Sequence, residues 1–309
     1  MTQRELRGVF PVFQTPYRPD GGPDLEVLEA EFHWMFGHGI DGLVMGMVSE
    51  VLRLNPSEVA AIGTLACAVA HKFDAPCVIS VGAESTYVAV ENARRATDYG
   101  ASALMAIPPL ATATSDDETF GYYSAILRAV DVPLVVQDAS GYVGQPLSIA
   151  VQVRLLDLFG DQVMFKPEAQ PIGQRISELR DKSGGRAKIF EGTGGLALVD
   201  SYRRGIVGTM PGADLCWAVV RLWQALQSGN EADVCAINGP FVTLISMQAE
   251  LDAFIAIEKH LLQLQGVFPN TAVRGPVSYS IDPETALEVN ALFNHLRDTV
   301  QSLRVPRTA

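Results

Sequence analysis

The feature that most constrains this chain is a rhythm. Short apolar runs rich in Val, Ile, Leu and Met recur eight times, each followed by a longer stretch with apolar residues at helical spacing. The runs are Gly8 to Gln14, Gly42 to Gly46, Cys77 to Val81, Ala103 to Ile107, Pro133 to Asp138, Val163 to Lys166, Lys188 to Glu191 and Ile206 to Met210. Their length predicts strands, and their continuous apolarity predicts strands covered on both faces. The stretches between them predict helices. Asn55 before Pro56 reads as a cap followed by proline at the first helical position.

Eight strand–helix units in about 228 residues is the count of a closed (β/α)8 barrel of the TIM type. An open doubly wound sheet would need fewer repeats and usually a glycine-rich phosphate loop, and no G-x-G-x-x-G follows the first strand. After Gly229 the pattern becomes purely helical, around Ala232 to Leu264 and Pro283 to Val300. The expected division is therefore a barrel over 1–228 and a helical extension over 229–309 packed on its side.

Composition removes several function classes. The 309 residues carry 23 Lys and Arg against 35 Asp and Glu, a net charge of −12, so no basic field for nucleic acid exists. The N-terminus lacks a signal peptide's apolar core, and no uncharged apolar run is long enough to span a membrane. A cytoplasmic location is the expectation. Cys67, Cys77, Cys216 and Cys235 are widely spaced and read as buried free thiols. His33, His38, His71, His260 and His295 all fall in or at the ends of predicted helices, without metal-ligand spacing. A carboxylate-only site from Asp138 and Glu191 is the weaker metal alternative.

Catalytic groups in such a barrel come from the C-terminal ends of the strands. Those ends carry Gly46–Met47–Val48–Ser49–Glu50, Pro108–Pro109, Gln137–Asp138, Lys166, Glu191–Gly192 and Gly208 to Gly212. Lys166 closes the run VMFK and precedes Pro167. Desolvation at a barrel mouth would lower its pKa and free the amine to attack a carbonyl. An ordinary strand-end lysine paired with Glu168 is the alternative from position alone. Glu168 lies two residues on, so strand alternation could turn it inward too.

These residues resemble the dihydrodipicolinate synthase/N-acetylneuraminate lyase family, Schiff-base lyases on a (β/α)8 barrel with extra C-terminal helices. The resemblance runs through Gly8 to Leu25, Asp41 to Glu58, Asp98 to Pro109, Val132 to Ser140 and Val163 to Glu168. It implies that Lys166 forms an imine with a small 2-oxo acid, without metal or organic cofactor, in a homo-oligomeric dimer or tetramer.

The departures from the family pattern narrow the reading. The family's carboxylate loop usually reads Gly-Thr-Thr-Gly-Glu, whereas here both threonines are lost and Ser49 remains with the loop amides around Val48. Gln137 stands where the family has a proton-relaying tyrosine, and an amide cannot serve as an acid or base near neutral pH. Paired tyrosines after the fourth strand are replaced by Pro109 and Leu110, and Tyr142 stands where an arginine holds the aldehyde substrate.

Ser49–Glu50, Val136–Gln137–Asp138–Ala139, Phe165–Lys166, Glu191–Gly192 and Gly208 to Gly212 resemble instead the 2-keto-3-deoxy-L-arabonate dehydratase branch. That resemblance implies catalytic roles for Lys166, Gln137 and Ser49. The same loops supply the implied substrate contacts, from Val48, Ser49, Asp138 and Glu168 on one side and Glu191, Gly192, Thr209 and Met210 on the other. Glu50 reads as a structural anchor of its loop. The expected reaction is dehydration of a 2-keto-3-deoxy sugar acid. The rivals are a pyruvate-dependent aldolase and, in another class, a non-catalytic 2-oxo acid sensor.

Overall fold

The computed structural model describes residues 5–140 and 144–303. All eight expected strands are present and parallel. They are β1 (Gly8–Val9), β2 (Leu43–Met45), β3 (Cys77–Ser80), β4 (Ala103–Ala106), β5 (Leu134–Gln137), β6 (Val163–Lys166), β7 (Phe190–Glu191) and β8 (Gly208–Thr209). Ladder pairing runs β2-β3-β4-β5-β6 and β7-β8-β1. Bridges Val12 to Val44 and Phe165 to Ile189 join the two sets, so the sheet closes into a (β/α)8 barrel.

Helices α1 (Leu25–Gly37), α2 (Pro56–Lys72), α3 (Thr86–Asp98), α4 (Asp116–Ala129), α5 (Ile149–Phe159), α6 (Ile172–Lys182), α7 (Leu198–Arg203) and α8 (Cys216–Gln227) follow the strands in turn. Their starts are locally encoded. Asn55, Ser85, Ser115 and Ser148 each accept a hydrogen bond from a first-turn amide, and Asn55 forms a reciprocal capping box with Glu58.

Two apolar layers result from the strand period of two. Val44, Val78, Met105, Val135, Met164, Phe190 and Met210 fill the barrel interior. Their alternates, such as Leu43, Ile79, Leu104, Val136 and Phe165, pack outward under the helices. The parity decides where each strand-end side chain points.

Beyond α8, the structure corrects the expected helix from Ala232 to Leu264. It is two helices, α9 (Glu231–Ile245) and α10 (Leu251–Leu264), separated by a corner at 246–250, and α11 (Pro283–Ser302) follows. The Ser246–Gln248 amides fold back onto the last turn of α9 and end it. Cys67, Cys77 and Cys216 are buried free thiols as expected, but Cys235 is exposed on α9. All five histidines lie in helices or, for His38, at a helix end. Among the described residues no helix is long and apolar enough to cross a membrane.

Candidate active site

Lys166 ends β6 with the parity of Met164, so its side chain enters the barrel mouth, where it is 5 % exposed. Its register partner on β5 is Gln137, which shares the inward parity of Val135. Glu168, two residues past Lys166, also turns in and is 2 % exposed. Glu168 Oε1 lies 2.9 Å from Lys166 Nζ and accepts a hydrogen bond from Gln137 Nε2 at 2.8 Å. Glu168 Oε2 and Gln137 Oε1 are buried and have no hydrogen-bond partner among the described residues.

Burial pushes the Glu168 carboxyl above its ordinary value, against the opposing pull of the Lys166 ammonium and the two hydrogen bonds. The cation beside the carboxyl favours the anion, and the missing solvent favours the acid. Gly192 completes this group. A Cβ there would stand 2.8 Å from both Lys166 Cε and Glu168 Oε1, so any larger residue would push on the amine's stem and the carboxyl.

The loop after β2 forms the facing wall as a single 3-10 turn over Met47–Ser49. Ser49 is fully buried; its hydroxyl donates to the Phe13 carbonyl and accepts from the Gly46 amide. The hydroxyl therefore fixes the loop. The Met47 and Val48 amides open the turn and make no hydrogen bond to the described residues.

Asp138, Glu191 and Thr209 are one residue out of phase with the inward set, and their polar atoms serve the loops. Asp138 accepts from the Ser140 and Leu147 amides at 3.1 and 3.0 Å. Glu191 accepts from the Thr193 amide at 2.7 Å, from the Thr193 hydroxyl, and from Thr209 Oγ1 at 2.7 Å. Met210 is inward, in the barrel's apolar fill. Tyr142 lies outside the described residues.

Two features escaped the sequence reading. The buried Lys259 ammonium of α10 meets Glu50 Oε1 at 2.5 Å and the Ala272 carbonyl at 2.7 Å, and the Arg274 amide donates to Glu50 Oε2 at 3.1 Å. A helix from the far end of the chain thus holds the loop after β2. Thr193, which fixes Glu191, had a signal available in its place two residues past a strand-end carboxylate.

With this geometry in view, comparison with known proteins is decisive for the family. The sequence profile of the dihydrodipicolinate synthetase family matches residues 5–296. The chain belongs to the dihydrodipicolinate synthetase family. Among its relatives in that family is an L-2-keto-3-deoxyarabonate dehydratase from Azospirillum brasilense, 25 % identical over 94 % of each chain. A 4-hydroxy-tetrahydrodipicolinate synthase from Rhizobium meliloti is 24 % identical over 94 % of this chain and 98 % of its own. The crystal structure of dihydrodipicolinate synthase from Rhodopseudomonas palustris superposes with a TM-score of 0.84 at 24 % identity, covering 94 % of this chain and 97 % of that one. Membership in the dihydrodipicolinate synthetase family implies lyase-type activity on a small 2-oxo acid.

Proposed function

We propose that this chain is a Schiff-base lyase that dehydrates a 2-keto-3-deoxy sugar acid, with 2-keto-3-deoxy-L-arabonate as the representative substrate. One observation carries the reading: a buried strand-end amine, Lys166, touches a buried carboxyl, Glu168, that Gln137 holds in place. The name of the Azospirillum relative agrees with it.

The neutral Lys166 amine adds to C2 of the 2-oxo acid, and loss of water, with a proton taken from the Glu168 carboxyl beside it, gives a protonated imine. The imine draws electrons from C3, whose proton passes to the Glu168 carboxylate as an enamine forms. The enamine pair expels the C4 hydroxyl, which takes the proton from the Glu168 carboxyl and leaves as water. A proton shift from C5 to C3 gives an enol, which passes its hydroxyl proton to C4 to become the aldehyde, and hydrolysis of the imine then releases a 2-oxo acid semialdehyde. The net change is loss of one water, and the imine supplies the electron sink.

A carboxyl whose burial favours the acid form suits protonation of a leaving hydroxyl. Gln137 cannot move that proton, but it fixes the carboxyl that does. We assign the substrate carboxylate to the Met47 and Val48 amides and the turn built by Ser49. Gly192 borders the amine and Met210 belongs to the apolar fill of the barrel, while Asp138, Glu191 and Thr209 hold the loops. The same reading carries a cytoplasmic homo-oligomer without a metal or organic cofactor.

Intact mass after incubation with pyruvate and borohydride tests the imine. A reduced adduct is expected in the parent protein and absent in Lys166→Ala; its absence from both would sink the mechanism. With 2-keto-3-deoxypentonates as substrate, semialdehyde is the expected product, and free pyruvate would show an aldolase instead.

A further inference from the structure

The corner between α9 and α10 covers the barrel mouth. Leu251, at the start of α10, packs against the cluster of Met47, Ile107 and Ala139, which follow β2, β4 and β5. On the other side, Ile245 and Phe254 bracket the position of a Cβ on Gly194, at 3.8 and 3.0 Å. Gly194 is two residues from Gly192, whose backbone lies against Lys166 and Glu168. The corner therefore bridges the loops on opposite sides of the amine.

Gln248 is the buried residue of that corner. It is 4 % exposed, whereas Ala249 and Glu250 beside it face solvent. Its main-chain amide donates to the Ile245 carbonyl at 2.9 Å. Neither its side-chain Oε1 nor Nε2 has a hydrogen-bond partner among the described residues. An amide so buried and unpartnered is a net loss to stability compared with an apolar side chain of similar size. The mismatch has a reason if a ligand supplies the missing partners. Glu168 Oε2 and Gln137 Oε1, at the amine itself, are unpartnered in the same way.

We infer that Gln248 is a specificity-determining residue whose amide receives the terminal hydroxyl of the imine-bound 2-oxo acid. This rests on the Schiff-base reading and narrows its substrate class. A hydroxyl both donates and accepts, so one such group satisfies both halves of the amide. The side chains of Met47, Ile107, Leu110 and Leu251, which form the apolar cluster under the corner, have no polar atom for a further hydroxyl. The substrate is a short acid with one hydroxyl beyond C4, a five-carbon rather than a six-carbon sugar acid.

Borohydride trapping separates this inference from the mechanism beneath it. The probes are pyruvate, 2-oxopentanoate and 5-hydroxy-2-oxopentanoate; none has a C4 hydroxyl, so none can be dehydrated. Half-maximal adduct formation in the parent protein is expected at a concentration at least tenfold lower for the 5-hydroxy acid than for 2-oxopentanoate. Gln248→Leu and the closer-shaped Gln248→Met should erase that preference by weakening the 5-hydroxy acid alone, leaving pyruvate trapping within twofold. Equal trapping of the two five-carbon acids by the parent protein would overturn the role of Gln248 even if neither variant folds. A preference that survives in a folded variant would do the same. No adduct with any of the three acids would instead bring down the Schiff-base reading, and the inference with it.

Discussion

At the scale of single residues, the chemistry depends on how Lys166 and Glu168 share a site without water. Both were legible because an i, i+2 pair on a strand shares a face, and Pro167 between them did not break the parity. The role of Ser49 was not legible in the same way, since its hydroxyl answers to Phe13, 36 positions away in sequence. Replacing Glu168 by Gln removes the proton carrier and keeps the shape. Dehydration should fall by roughly 100-fold or more, while pyruvate remains trappable on Lys166. Loss of trapping together with turnover would make Glu168 a support for the amine rather than the carrier. The Glu168 carboxyl titrates above its ordinary 4.5 because burial outweighs its partners. The limb of kcat/KM that it controls should therefore lie above that pH and vanish in Glu168→Gln. Gly192→Ala is a sharper steric test, because its methyl would sit 2.8 Å from Lys166 Cε. The variant should fold and lose most imine formation; full trapping would show that the loop can yield.

Among the elements, the loop after β2 and helix α10 behave as one unit. Glu50 adopts a left-handed backbone with φ of 60°, and its carboxylate is buried against Lys259 and the Arg274 amide. Arg274 pairs in turn with Glu58 at 2.7 Å, and Arg53 of the same loop pairs with Asp252 at 2.5 Å. Local signals announced the helices well, since each serine or asparagine cap acts within three residues of itself. They said nothing of Lys259, whose partner is 209 positions away. They also missed the break at 246–250, because α9 and α10 carry one continuous apolar pattern across it. Lys259→Met strands the Glu50 carboxylate in the interior, at a cost of about 3–5 kcal/mol. Chemical denaturation should show a loss of that size, and Glu50→Gln added to Lys259→Met should restore part of it. Additive losses in the double variant would mean that the two side chains act independently.

The whole molecule carries its acidity unevenly, in a way a net charge of −12 does not disclose. Glu31 of α1, Asp214 after β8 and Glu258 of α10 are buried where the barrel meets the C-terminal helices. Gln14 links two of them: its amide donates to Glu31 Oε1 at 3.0 Å, and its side chain donates to Glu258. Gly212 leaves room for Glu258 and Asp214, since a Cβ there would fall 2.1 Å from Glu258 Oε1 and 2.8 Å from Asp214 Oδ1. Burial raises all three carboxyls, Asp214 from 3.8 to about 7, with mutual repulsion adding to Glu31 and Glu258 and the Lys259 ammonium opposing it. Released near pH 4 by the unfolded chain, these protons are held to higher pH by the folded one. Their stabilising contribution is complete below about pH 4 and is lost as the pH rises through their folded-state pKa values, about 7 for Asp214. Asparagine at 214 mimics the protonated acid at every pH. Asp214→Asn should therefore lose less melting temperature than the parent protein between pH 5 and 8, the two curves diverging as pH rises. Parallel curves would show that Asp214 is already ionised in the folded state at pH 5. Divergence would instead show that the packing of the C-terminal helices on the barrel depends on protons retained between them, so that stability and the hold of α10 on the loop after β2 weaken together in alkali.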